Sequence, residues 1–356
     1  MVYKKTLDYI QIPVSKRSKS LVHNLSNQFR AVSEPVVKIM QTSFRTEGSL
    51  SPAIPKPIYT WIQNNPMHHK VFQLLVGGRT YNLHFYTTTN KYNYASCIQK
   101  INTWLTVASK YASARCSKHV DVYLYLTPLK KMLPRTRNQD IDEEHANTAF
   151  TTSCAPRTEI VLFREEEWFK VFIHESFHNL GLDFSETYEN TSGRKLLSSM
   201  FQIKSRFRLY EVYCEMWAEL INILINCKDI QTAIEYERKF ALFQAAKILD
   251  FYSLNYEDLF GGGSTKEYSE NTEVFCYYIL KALLMYNLDA FLYWINKEQA
   301  GSLQFKTNNV EKFIKDLIVP FYKHDNFVNA MNHAQSYFDI PRRSEIGTTM
   351  RMSLHG

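Results

Sequence analysis

Apolar positions recur at two different spacings along this chain, and the change from one to the other organises it. Between residues 81 and 86, Tyr81, Leu83 and Phe85 alternate with Asn82 and His84, the two-residue period of a strand with one buried face. Residues 95–111 place Ile98, Ile101, Leu105 and Ala108 at helical spacing, and residues 119–126 return to alternation before Thr127-Pro128 ends it. Two short extended stretches are expected at 147–153 and 159–163, with Pro156 between them. Trp168, Phe169, Phe172, Ile173, Phe177 and Leu180 then form the buried stripe of a helix that Gly181 stops. Arg164-Glu165-Glu166-Glu167 would put acids in its first turn, at the positive end of the helix dipole. Beyond it the pattern is mainly helical, over 207–227, 230–251, 272–287 and 310–338, the last broken near Pro320.

Between these elements the pattern weakens. Residues 1–66 carry Pro13, Pro35, Pro52, Pro55, Pro57 and Pro66 with little periodicity, which predicts an extended arm or a loosely packed lead-in. Residues 130–144, polar around Pro134, and residues 183–193 predict surface loops. Gly261-Gly262-Gly263-Ser264 predicts a flexible connection; with no Lys-Ser or Lys-Thr after it and no GxGxxG spacing, a phosphate cradle is not expected. The order is an arm (1–66), a small mixed α/β lobe (67–185) ending in the helix opened by Arg164-Glu165-Glu166-Glu167, and a mostly α-helical lobe (186–356), hence an α+β protein.

With 356 residues, 45% of them hydrophobic, the chain can bury a full core, as one large domain or as two lobes around a cleft. The formal charge of +7 is spread along the sequence except for an N-terminal cluster of Lys4, Lys5, Lys16, Arg17 and Lys19, read as a solvated arm. Nucleic acid is a poorly supported partner, because aromatic and basic residues do not interleave. The six cysteines, Cys97, Cys116, Cys154, Cys214, Cys227 and Cys276, show no close pairing and no CxxC, so free thiols in a reducing compartment are expected. Residues 1–20 lack the apolar core of a signal peptide, and an intracellular location is expected. The most apolar run, 275–295, is interrupted by Lys281, Asn287 and Asp289 and predicts a buried helix, not a membrane span.

The predicted helix that Arg164-Glu165-Glu166-Glu167 opens and Gly181 stops carries the chemistry. His174-Glu175-Ser176-Phe177-His178 sets two imidazoles four residues apart, on one helical face, where both can grip one metal ion with the Glu175 carboxylate beside it. A hydrolytic zinc needs a third protein ligand and an open position for water. Glu211, Glu215 and Glu219 recur at four-residue spacing on a helix that is apolar around most of its circumference, so some of these acids point into protein and need a cation there.

A mixed lobe, two extended segments, a glutamate-opened helix bearing HExxH and a downstream glutamate helix together resemble the zincin metallopeptidases. Residues 211–218, EVYCEMWA, are similar to the third-ligand helix of the gluzincin branch, as in thermolysin-like enzymes, anthrax lethal factor and the clostridial neurotoxins. That resemblance implies Glu211 as ligand and Glu215 as the acid supporting a histidine; Glu215 as ligand with Glu219 behind it fits the spacing almost as well. The metzincin pattern HExxHxxGxxH is matched by HESFHNLGLDF up to its last position, where Phe184 cannot bind zinc and Asp183 is one residue out of register. Met200 reads as a core methionine, not a Met-turn. More narrowly, residues 122–134 (VYLYLTPLKKMLP), 147–151 (NTAFT), 166–185 and 211–218 resemble metallopeptidase-like proteins of giant nucleocytoplasmic DNA viruses, over roughly residues 81–227. If so, the location is the host cytoplasm or the virion, and virion or viral-factory proteins are implied partners.

The resemblance implies one zinc ion on His174, His178 and Glu211 or Glu215, Glu175 as general base, and a polypeptide substrate added to the edge of residues 147–153 or 159–163. Tyr210, Tyr213, Tyr188 and His145 are candidate oxyanion donors. The alternative is an inactive zincin fold with a structural role in virion assembly. His68-His69 reads as a surface pair, His324 and His333 as helix-surface residues, and Asp140, Asp142, Glu143 and Glu144 as a solvated loop without the glycine turn of a calcium site.

Overall fold

Six strands form one mixed sheet: β1 (Val37–Arg45), β2 (Met67–Val76), β3 (Arg79–Thr87), β4 (His119–Tyr125), β5 (Ala149–Thr151) and β6 (Arg157–Leu162), in the spatial order β1-β2-β3-β4-β6-β5. In this computed structural model, residues 7, 8, 10–12, 19–45, 50–137, 139–188, 192–261, 268–339 and 345–355 are described. Gly77 and Gly78, both at positive φ, close a two-residue turn that makes β2 and β3 antiparallel neighbours. A crossover through the helix at Tyr94–Ala108 is long enough to set β3 parallel to β4, and β6 continues parallel to β4. The short β5 returns antiparallel at the edge.

Helices cover the sheet and then continue beyond it: α1 (Lys19–Arg30), α2 (Lys56–Asn64), α3 (Tyr94–Ala108), α4 (Trp168–Asn179), α5 (Gly193–Met200), α6 (Leu209–Asn226), α7 (Ile230–Tyr252), α8 (Lys281–Tyr286), α9 (Leu288–Glu298), α10 (Val310–Leu317) and α11 (Asp325–Ser336). A π-helical segment, Phe275–Leu280, runs directly into α8. One sheet face buries Leu83, Phe85, Val122, Leu124, Ile160 and Leu162 under α3 and α4, and the same apolar core passes without a break into α6 and the later helices. The opposite face packs Tyr86, Tyr125, Val161 and Phe163 against Ile54, Ile58 and Ile62 on and just before α2.

The predicted strands and helices fall where the periodicity puts them, within a few residues, and several other expectations need correction. The N-terminal arm is built into the fold: β1 is a sheet edge, α1 and α2 pack on the core, and Leu7 and Ile10 are buried. Lys4, Lys5, Lys16 and Arg17, and residues 262–267, lie outside the described residues, as does the side chain of Lys19. The 130–144 stretch is no free loop, because Lys131 and Ile141 are fully buried and the Arg164 guanidinium donates to the carbonyls of Leu129, Lys130, Glu144 and Asn147. The first turn of α4 contains no acid: Glu167 sits before it in a left-handed conformation and turns its carboxylate inward to Lys131. Of residues 183–193, Asp183 and Tyr188 are buried; 189–191 lie outside the described residues. Cys116 and Cys154 form a disulfide, a pairing 38 residues apart that no local spacing announces; Cys97, Cys214, Cys227 and Cys276 are free. His69, expected at the surface, is buried and stacked on Tyr86.

Residues 275–295 do not form one rod. The stretches Phe275–Tyr286 and Leu288–Glu298 meet at 88°, and no single described helix is long and apolar enough to cross a membrane.

Candidate metal centre

The apolar stripe of α4 (Phe172, Ile173 and Phe177) presses the helix onto the core, which carries His174 and His178 to its other buried flank, facing α6. α6 presents Glu211, Glu215 and Glu219, all buried, along the stripe facing them. Three ligand atoms converge: His174 Nε2 lies 3.0 Å from Glu211 Oε2, His178 Nε2 lies 3.2 Å from His174 Nε2, and His178 Nε2 lies 3.4 Å from Glu211 Oε2. Ligands about 2.0–2.1 Å from a tetrahedral ion are about 3.3 Å from one another, so this triangle fits one such ion. The residues could hold a metal, with Glu211 as the third ligand.

Each imidazole is held from behind. His174 Nδ1 meets Glu215 Oε2 at 3.1 Å, and His178 Nδ1 meets Asp183 Oδ2 at 2.7 Å. A carboxylate on Nδ1 fixes the Nδ1–H tautomer and leaves Nε2 as the free lone pair that a metal requires. Asp183 reaches His178 because Gly181, at φ +64°, reverses the chain after α4, with Leu182 N–H donating to the Phe177 carbonyl. A Cβ on Gly181 would meet Cys116 Sγ at 3.2 Å and Cys154 Cβ at 3.4 Å, so the disulfide packs directly on this turn.

The glutamates of α6 divide by surroundings. Burial alone would raise the Glu215 carboxyl, but Lys170 and Lys281 beside it hold it well below the ordinary range, so it is an anion bonded to Lys170 Nζ and to His174. Burial and Glu237 push Glu219 well above that range, and its cation is Lys281 at 3.3 Å. Burial would also raise Glu211, but the two histidines outweigh it and keep the acid low. Glu175 is pushed up by desolvation, the direction expected of a carboxylate that accepts a proton.

Glu175, His174, Lys170 and Tyr277 line a cavity of about 40 Å³ that Asn147 to Ala149 and Met352 also bound. Tyr277 is the functional candidate that the sequence does not single out. Its hydroxyl donates to Glu211 Oε2 at 3.2 Å and its ring meets His174 edge-on at 5.9 Å. Burial raises its pKa, so the phenol keeps its proton. Of the donors expected instead, Tyr213 is committed to the Leu303 carbonyl, Tyr188 to that of Phe207, and His145 to the turn at Asp142; Tyr210 packs edge-on to His178. Phe184 packs with Tyr188, Tyr210, Tyr213 and Phe305, an aromatic cluster beside the histidines. Comparison with protein-family models, curated proteins and solved structures finds no match to this chain.

Proposed function

We propose that the chain is a zinc-dependent peptidase of the zincin type, in which His174, His178 and Glu211 hold the ion and Glu175 is the general base. The supporting observation is the triangle of Nε2, Nε2 and Oε2 atoms at 3.0–3.4 Å, with both Nδ1 atoms bonded to carboxylates. A buried His₂Glu set is a catalytic donor set, since two neutral imidazoles and one carboxylate leave a net positive ion. When bound, zinc would acidify a water and polarise the scissile carbonyl.

The chain's own residues supply the rest. Glu175 takes one proton from the attacking water, whose oxygen bonds to the carbonyl carbon, and returns that proton to the leaving nitrogen as the C–N bond breaks. The products are a carboxylate and an amine. Tyr277, whose hydroxyl donates to Glu211 Oε2 beside the site, would turn that proton to the oxygen on which negative charge develops. The edge strand β5 offers unpaired backbone groups beside the cavity, on which an extended peptide can add as a further strand.

Metal analysis of the purified protein tests this. About one zinc per chain, removable by chelator, is expected, and Glu175→Gln should keep the zinc while losing at least about a hundredfold in turnover. A protein that takes up no zinc refutes the site. A zinc-loaded wild type with no more activity than Glu175→Gln leaves a structural metal in a zincin-like scaffold.

A further inference from the structure

Resting on that peptidase proposal, the geometry points to a one-ended cleft that recognises the free carboxylate of a polypeptide and removes an amino acid or dipeptide from its C-terminus. Three observations carry this.

The edge strand is open at one end only. Thr152 and Ser153, after β5, are exposed, whereas Thr148 and Ala149 at its start are buried. What closes the start is the strap 269–273, which precedes the π-helical segment and bonds to the residues just before β5. Asn271 N–H donates to the Ile141 carbonyl at 3.2 Å, and Thr272 Oγ1 donates to Asn147 Oδ1 at 3.1 Å. A peptide pairing with β5 in the more stable antiparallel sense runs its C-terminal direction toward Asn147, into the strap. The cavity at that end is small, about 40 Å³, or about three waters at 10–15 Å³ each.

The closed end also carries two arginines. Arg206 and Arg208, just before α6, are both partly exposed, and their ion pairs among the described residues go to one carboxylate, that of Glu273 in the strap, at 3.5 and 3.0 Å. Two guanidinium groups sharing one acid leave fork positions that no ion pair among the described residues fills, the arrangement that takes a second carboxylate in bidentate fashion. Arg208 lies three residues before Glu211, whose N–H bonds its carbonyl, and Tyr277 N–H bonds the carbonyl of Glu273. The arginine pair therefore stands one helical turn from the ligand and from the oxyanion donor. Water adds across the last or penultimate peptide bond, its oxygen ending on the shortened chain's new carboxylate and its proton on the amine of the released fragment.

The test uses the zinc-loaded full chain and mixed-sequence synthetic peptides, each made as a C-terminal acid and as the amide, with products read by mass spectrometry. Expected are acids shortened from the C-terminus, with amides about tenfold to a hundredfold slower in kcat/KM. Arg208→Ala should erase that preference through KM with zinc content unchanged, and Arg208→Lys should restore part of it. Internal cuts at equal rates in acids and amides would overturn the inference and leave the peptidase proposal standing. No product from either form by zinc-loaded protein overturns both. Full acid preference in both Arg206→Ala and Arg208→Ala overturns the arginine assignment.

Discussion

At the scale of single residues, what distinguishes Glu211 from Glu215 is which nitrogen of His174 each one meets. Glu211 stands on Nε2, where the second histidine also points; Glu215 stands on Nδ1, with two lysines behind it. The two positions are four residues apart on one helix, so spacing alone leaves both pairings open. Their replacements should therefore differ in kind. Glu211→Ala removes the proposed third ligand and should abolish zinc retention against a chelator. Glu215→Gln keeps a hydrogen-bond acceptor for His174 and should weaken retention by about tenfold to a hundredfold, as should Asp183→Asn behind His178. Chelator competition at neutral pH, with circular dichroism as a check on folding, reads the difference. Equal retention in Glu211→Ala and Glu215→Gln would remove Glu211 from the ligand set.

At the scale of elements, β3, β4, β6 and α4 were legible because their apolar periods are strong and each is read within its own segment. The histidine pair was legible for the same reason, since a four-residue spacing on one helix is a local property. Tyr277 was not. It sits on the π-helical segment Phe275–Leu280, which no spacing rule links to the histidines, and only tertiary packing of that segment against α6 brings the hydroxyl to Glu211. Asp183 is out of register for a ligand, yet the turn at Gly181 makes it the support of one. Wider turns of the π type re-aim side chains relative to an α-helix, and recur at functional sites. Tyr277→Phe should accordingly lower kcat by about a hundredfold while leaving zinc bound, measured as turnover together with metal content. Unchanged kcat would limit the hydroxyl to holding Glu211.

At the scale of the whole molecule, the candidate metal centre is braced by residues 345–355. Residues 345–355 run into the core behind α4, where Met350 and Met352 are buried. Glu167 accepts the N–H groups of Met352 at 3.0 Å and Ser353 at 2.5 Å, and Glu237 accepts those of Leu354 and His355. Lys131 lies 2.5 Å from Glu167, and Lys281 links the Met352 carbonyl to Glu215 and Glu219. Glu167 thus ties the residue before α4 to a distant lysine and to the chain's last segment, and a buried ion pair of this kind is costly to break from one side. Burial would raise Glu167, but Lys131, then Lys170 and Arg351, outweigh it and bring it down to about 2. Because its folded pKa lies below that of the unfolded chain, near 4.5, its contribution is complete above about pH 4.5 and is lost as pH falls toward 2. The urea midpoint of the wild type should fall across that window. Glu167→Gln, which leaves Lys131 buried without its anion, should already be destabilised at pH 7 by about 3–5 kcal/mol and should show a shallower fall in acid. If the variant tracks the wild type at both ends of the range, the tail and the motif helix are not coupled through Glu167.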